Sequence, residues 1–317
     1  MNVLSVFDGY GGSWLSLAKN NIKVDQGFSC EIDPYASSVV KLNFPNVIQL
    51  GDILKPKIDF HMLPKIDLLI GGSPCQDLSF AKGNGKGLEG ERSGLFYKYF
   101  EVLEILRKKN PDIKFLLENV KMKQKWKDII SDLLGVQPIF INSADFSAQN
   151  RQRLYWTNIP VDGWIPCEDK LQDILEDSVA DRDKSHCIDA NYFKGGNLKS
   201  YFEKHRRQLV FNRCIQVGEA DIKGRDSLKR VYSPEGKAPT VTTCGGGHRE
   251  PKVYVPPLQW RKLSCLEVER LQTVPDNYTK YGQKENGDIV LISNTQRFKM
   301  LGNGFTINVV SWIIKNL

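Results

Sequence analysis

The sequence predicts an α/β protein: a doubly wound parallel sheet, joined to a smaller loop-rich unit. Three observations carry this. Seven short apolar runs alternate with helix-like stretches over the first half of the chain, the pattern of strands linked by crossover helices. The first run closes on a glycine turn, Gly9, Gly11 and Gly12. After about residue 165 the alternation gives way to Gly-rich and basic pieces such as "YFKGGNLKS", "EKHRRQ" and "TCGGGHREPK", which read as a separate unit.

In order, the strand-like runs are "NVLSVF", "QGFSCEI", "NVIQLGD", "IDLLIGG", "KFLLENV", "PIFINSADF" and "RLYWTNI", each of strand length and rich in β-branched or aromatic residues. One intervening helix is clear. Phe96, Phe100, Leu103 and Leu106 share a face of "LFYKYFEVLEILRKK", basic residues fill its last turn where the helix dipole favours them, and it ends before Pro111. The closing "TINVVSWIIKNL" is an amphipathic helix, with Ile307, Val310, Ile313, Ile314 and Leu317 on one side, expected to pack back on the sheet.

Composition narrows the function classes. A chain of 317 residues, 41% hydrophobic and 26% charged, is ordinary for a globular protein. Its apolar runs fall far short of the roughly 20 residues a membrane-spanning helix needs, and "MNVLSVFDGYGG" lacks the basic start of a signal peptide. A cytoplasmic protein, or a nuclear one in a eukaryote, with no membrane partner is expected. Seven scattered cysteines without a CxxC pair argue against both a disulfide framework and a structural metal. The net charge is +7, and residues 181–290 hold 20 Lys and Arg against 14 Asp and Glu. Most of the excess lies there, which points to a polyanionic partner or to a well-solvated face.

The chemistry-bearing residues gather at strand ends. A glycine turn after the first strand lets a ligand approach the backbone. About twenty residues on, "CEID" offers Glu31, with Asp33 beside it, where an acid in this architecture bonds a ribose hydroxyl. "GDI" adds Asp52 at the third strand end, where it serves equally as a helix N-cap. These three strand ends together suit an adenosine group. Cys75 in "GGSPCQDLSF" ends the fourth strand; it is a nucleophile if its thiolate is exposed and stabilised, and a packing residue otherwise. Glu118 in "LLENV" joins the same edge, as a carboxyl that a dry pocket would keep protonated or as a cap for the following helix. "QNRQRLYW" places Gln149, Arg151 and Arg153 just before another strand, and alternation sends both arginines to one side, suited to gripping an anion or a carbonyl oxygen.

Taken in order, "FDGYGG", "EID", "GDI", "GGSPCQDLSF", "FLLENV", "QNRQRLYW", "RKLSCLEVERLQTVPDNYT" and "KMLGNGFTINVV" resemble the motif series of the DNA (cytosine-5)-methyltransferases, over nearly the whole chain. The resemblance implies a Rossmann-like S-adenosylmethionine-dependent sheet with a target-recognition domain. It implies that Phe7, Gly9, Gly11, Glu31, Asp52, Ile53 and Asn303 hold S-adenosylmethionine. Cys75 would attack C6 of the target cytosine, Glu118 would bond N3 and the exocyclic amine, and Arg153, with Arg151 beside it, would support the O2 side and Cys75. The residues agree with this chemistry: C5 of cytosine is a poor nucleophile until a thiolate adds at C6, and the ring must leave the duplex to be reached. The run "AKGNGKGLEGERSG" after Cys75 is long enough to close over it or to be a plain surface loop. Two positions depart from the family: Ser73 stands where many members have Pro, and Trp14 is bulky for the start of its helix.

The expected organisation is a catalytic domain over residues 1–180, completed by 290–317, with a target-recognition domain and hinge over 181–289. Gln149, Arg230, Lys237 and Arg249 are the expected DNA contacts, with His248 near the last, and "PTVTT" orients the target strand. The expected partner is double-stranded DNA, with a cognate restriction enzyme as a further partner, and the expected state is a bacterial or phage-encoded monomer. Three rivals differ in class. An RNA cytosine methyltransferase of the same fold is opposed by the separate basic domain. A catalytically silent regulator is opposed by the presence of Cys75, Glu118 and Arg153. A dinucleotide oxidoreductase is opposed by "FDGYGG", which lacks the GxGxxG spacing.

Overall fold

A computed structural model describes residues 1–74, 95–211, 231–232, 252–253 and 260–317. Cys75 and the glycine-rich run after it, together with Arg230, Lys237, "PTVTT", His248 and Arg249, lie outside the described residues.

The seven predicted strands form one sheet: β1 (Asn2–Val6), β2 (Gln26–Cys30), β3 (Val47–Gln49), β4 (Leu68–Gly72), β5 (Lys114–Val120), β6 (Ile139–Asn142) and β7 (Gln152–Thr157), in the order β3-β2-β1-β4-β5-β7-β6. The first five are parallel, but β7 runs antiparallel to both β5 and β6. The sheet is therefore mixed where the sequence reading expected it parallel. The physical reason is the link between β6 and β7: only nine residues separate Asn142 from Gln152, too few for the crossover of a dozen or more that a parallel pair needs.

The strands of this sheet are buried because helices cover both faces. Helix α1 (Gly12–Lys19) follows the glycine turn, and α2 (Pro34–Asn43) follows β2, capped by Asp33, whose carboxylate accepts the N–H groups of Tyr35 and Ala36. Helix α3 (Leu95–Lys109) buries Phe96, Leu103 and Leu106, with Phe100 partly buried beside them, and stops before Pro111 as the spacing predicts. Helix α4 (Gln124–Leu134) packs Ile130 and Leu134 on the same side and ends in a left-handed Gly135.

Beyond the sheet, α5 (Leu198–Lys204) leads to β8 (Leu209–Phe211), and β9 (Val231–Tyr232) pairs parallel with β10 (Lys252–Val253). Strand β11 (Trp260–Lys262) returns antiparallel to β8 and leads into α6 (Cys265–Leu271), which opens with a Ser264–Glu267 capping box. A hairpin of β12 (Tyr281–Gln283) and β13 (Ile289–Leu291) packs on α2. Helices α7 (Asn294–Asn303) and α8 (Ile307–Ile314) close the chain. The face of α8 predicted from spacing holds: Ile307, Val310, Ile313 and Ile314 are buried, the last three in one core with Val3, Leu68 and Ile70 of the sheet, while Leu317 lies past the helix end. The C-terminus thus returns to the sheet, packed against α1.

Candidate active site

The carboxyl ends of the parallel strands all meet one rim. At β1 the chain turns sharply: Phe7, Gly9 and Gly11 all adopt left-handed backbone (φ 55°, 57° and 88°). For Phe7 that conformation is strained, a cost that folds tend to retain at functional sites. A side chain on Gly9 would meet nothing within 4 Å, so the turn faces open space. The turn is tied to the end of β2 by Glu31, whose Oε2 accepts the Gly9 N–H (2.8 Å) and whose Oε1 accepts the Asp33 N–H (2.7 Å). Burial raises the Glu31 carboxyl above its usual range, opposed by those two N–H groups. A cleft of about 650 Å³ opens at this end of the sheet, lined in part by Glu31, Tyr35, Gln49, Gly51, Lys57 and Gln283.

Asp52 caps a turn and not a helix: its Oδ1 accepts the Leu54 N–H (2.9 Å). Ile53 is buried in the main core beside Leu50. Asn303 is exposed at the end of α7. The loop after it packs on the glycine turn, since Tyr10 donates its hydroxyl to the Phe305 carbonyl (2.7 Å), and any side chain at Gly304 would collide with the Tyr10 ring. The first and last motifs are thereby brought to one place across 295 residues of sequence.

Trp14, the bulky departure, is buried, and its indole N–H reaches Asp8 Oδ2 (2.7 Å). Asp8 also receives the hydroxyls of Ser5 (2.6 Å) and Ser29 (2.7 Å). Burial lifts the Asp8 carboxyl above the usual range, and these three donors hold it down. This polar knot beneath the turn was missed in the sequence, where the only signal was a tryptophan in an unusual position.

Three neighbouring strands build the other half of the rim. The Glu118 side chain, nearly buried, is held by Arg153, whose Nε lies 2.7 Å from Glu118 Oε1. Register explains the meeting: Val120 pairs with Arg153 and Glu118 with Tyr155 across β5 and β7, and Glu118 also pairs with Gly72 of β4. Gly72 leaves little room there. A side chain would come within 3.1 Å of Glu118 Oε2 and 3.0 Å of the Phe305 ring. Asn119 donates to the Ser73 hydroxyl (2.9 Å) and accepts the Val120 N–H (2.8 Å). That bond gives Ser73 a purpose a proline could not serve, and it anchors the segment that leads to Cys75. Helix α4 starts at Lys123 as its N-cap, so Glu118 is not a helix cap.

Arg151 and Arg153 part company, contrary to the expectation that they share a side. Arg153 lies within β7, whereas Arg151 precedes it and does not follow strand alternation. The buried Arg151 guanidinium donates to the carbonyls of Ile188 (3.1 Å), Gly302 (3.2 Å) and Gly304 (2.9 Å). Gln149, an expected DNA contact, is fully buried, and its side-chain amide has no hydrogen-bond partner among the described residues. Its backbone instead bridges to Ser185.

Comparison with known proteins agrees with this architecture. The family description "C-5 cytosine-specific DNA methylase" matches residues 1–317. Among curated relatives, the orphan methyltransferase M.SPBetaI of Bacillus phage SPbeta is 28% identical, covering 100% of this chain and 97% of the relative. The type II methyltransferase M.HhaI of Haemophilus parahaemolyticus is 26% identical, covering 100% and 94%. Among solved structures, the Entamoeba histolytica methyltransferase EhMeth shares the fold with a TM-score of 0.63 at 13% identity, covering 100% of this chain and 97% of that one. The S. pombe Dnmt2 methyltransferase shares it with a TM-score of 0.59 at 16% identity, covering 99% and 97%. With the match running from the first residue to the last, the chain belongs to the C-5 cytosine-specific DNA methylases, the DNA cytosine-5 methyltransferases.

Proposed function

We propose that the protein methylates C5 of a cytosine flipped out of a specific duplex DNA sequence, with S-adenosylmethionine as methyl donor and through a covalent Cys75–C6 intermediate. The observation that carries this reading is the convergence of Glu118, Arg153 and the Asn119–Ser73 bond at the ends of three adjacent strands. They stand on the rim that also holds the glycine turn and Glu31.

The rim suits the cofactor. The left-handed turn leaves open space over Gly9, Glu31 keeps a lone pair on each oxygen for ribose hydroxyls, and the exposed Asn303 stands beside the turn. Phe7, Gly11, Asp52 and Ile53 complete the proposed set. When bound, S-adenosylmethionine supplies an electrophilic methyl group.

The chain's own residues prepare the acceptor. The Cys75 thiolate forms the S–C6 bond while the Glu118 carboxyl gives its proton to N3, and the ring electrons then make C5 an enamine carbon able to take the methyl. Loss of the C5 proton to a base, return of the N3 proton to Glu118 and departure of the thiolate restore the aromatic ring. Arg153 orients Glu118 through its 2.7 Å contact and supports the O2 side of the ring. Arg151 acts at one remove, as a positioning residue that holds the Gly302–Gly304 loop.

The test uses purified protein with plasmid DNA and S-adenosylmethionine, followed by sequencing of the methyl marks. Wild type should mark cytosine C5 within one motif and form a stable adduct on a duplex carrying 5-fluorocytosine, because fluorine at C5 blocks the final elimination. Cys75→Ala should lose methyl transfer and retain DNA binding. Robust turnover by that variant would sink the covalent mechanism.

A further inference from the structure

The segment that leaves the catalytic strand is strongly basic. Directly after Glu118, Asn119 and Val120 the chain reads "KMKQKWK", with lysines at 121, 123, 125 and 127. The first three are exposed, while Met122 between them is buried and roots the segment in the core. None of the four has a carboxylate within ion-pair distance among the described residues, whereas Lys98 and Arg107 on α3 are paired with Glu101 and Glu104. Aromatic rings lie among them. The Lys121 ammonium is 5.8 Å from the centre of the Phe140 ring, which is 47% exposed on β6, and that of Lys125 is 4.0 Å from the Trp126 ring. Helix α4 adds to the field, because it starts here with no side-chain cap and no acidic residue in its first turn.

Position decides what this ridge meets. Lys121 is three residues beyond Glu118, about 10 Å along an extended chain, and it follows Val120, which pairs with Arg153. A base that reaches Glu118 brings its own sugar and phosphates across this rim. Unpaired lysines there match a polyanion's backbone, which supplies most of the affinity of DNA-binding surfaces and carries no sequence information. An acidic protein would be an alternative polyanion, but it would have to share the rim through which the substrate enters.

We propose that Lys121, Lys123 and Lys125, beside the exposed Phe140, form a ridge that binds the phosphates flanking the extruded cytosine on the target strand. The inference rests on the proposed reaction at Glu118. It assigns to the catalytic unit a share of DNA affinity that the charge distribution had placed in residues 181–290.

The experiment measures binding of mixed-sequence DNA duplexes by fluorescence anisotropy across a series of salt concentrations. It compares wild type, K121Q/K123Q/K125Q, and a control, K65Q/K108Q, in the segments that lead into the amino-terminal ends of β4 and β5. The ridge variant should lower the slope of log affinity against log salt by about 1 for each phosphate it no longer holds. It should weaken binding equally on every duplex and raise the KM for DNA. Thermal midpoint and S-adenosylmethionine affinity should match wild type, and the control should keep the wild-type slope. Wild-type duplex binding with an unchanged slope in the ridge variant would overturn the ridge and leave the proposed reaction standing. Absence of salt-dependent duplex binding by wild type would overturn both. A loss confined to a folded RNA hairpin offered in parallel would reassign the ridge to RNA and overturn the proposal.

Discussion

Both oxygens of Glu31 accept a backbone N–H, from Gly9 and Asp33, so this one carboxyl sets the shape of the turn and remains able to accept more. If its free lone pairs bind ribose hydroxyls, Glu31→Ala should weaken S-adenosylmethionine binding by about 1.5–3 kcal/mol, the range for a hydrogen bond to a charged group. Glu31→Gln, which preserves an acceptor for one of the two N–H groups, should fall between. Equal affinities for all three forms by calorimetry would remove Glu31 from the cofactor site. At this scale the sequence was a good guide to position, placing Glu31 and Glu118 at the ends of β2 and β5. It was a poor guide where the partner lies far along the chain. Asn119 and Ser73 are 46 residues apart, and nothing local in "LLENV" or "GGSPC" announces their bond.

At the scale of elements, Arg151 joins three pieces: the approach to β7, the segment around Ile188, and the loop between α7 and α8. Its charge is buried among carbonyls, so Arg151→Met should leave three acceptors unmatched and destabilise the fold by about 2–5 kcal/mol, read in denaturant melts. Arg153→Met should leave stability closer to wild type and act on kcat, since its proposed work is to hold Glu118. If the two variants showed the same balance of stability and activity losses, the division of labour would be wrong. The element around α5 carries a pH signature. Burial, then the charges of Arg182 and His205, push His186 down to about 4, with Asp181 opposing; the Tyr201 ring also packs against it. Between pH 6.5 and about 4 the unfolded chain therefore binds a proton that the native state refuses, and stability falls as pH drops through that window. His186→Asn should flatten the dependence of the thermal midpoint on pH across it, and an unchanged profile would refute the assignment.

For the whole molecule, the strand runs, α3, and the return of α8 to the sheet were all legible, because each follows from local hydrophobic period. The antiparallel β7 was not read, although the short link before it was the available signal. The division of labour between halves rests on charge. Residues 181–290 carry 20 basic against 14 acidic side chains, and base edges are read in the major groove chiefly by Arg, Lys, Asn and Gln. The stretch from Arg230 to Lys252 holds Arg230, Lys237, His248 and Arg249 near a run of glycines. By contrast, the groups proposed to act on cytosine lie at strand ends between β4 and β7. Chemistry and sequence choice should therefore be separable. Replacing residues 191–249 with those of a relative of known specificity should transfer that relative's methylated motif, while Cys75 continues to form the adduct on 5-fluorocytosine. Buried contacts near the first junction constrain the graft: Tyr192 donates to the Gln208 carbonyl (2.5 Å) and accepts the Leu263 N–H (2.8 Å), so the exchanged segment should retain tyrosine at 192 and glutamine at 208 to preserve their contacts with Leu263. An active hybrid that still marked the original sites would place discrimination outside residues 191–249, in the catalytic part of the chain.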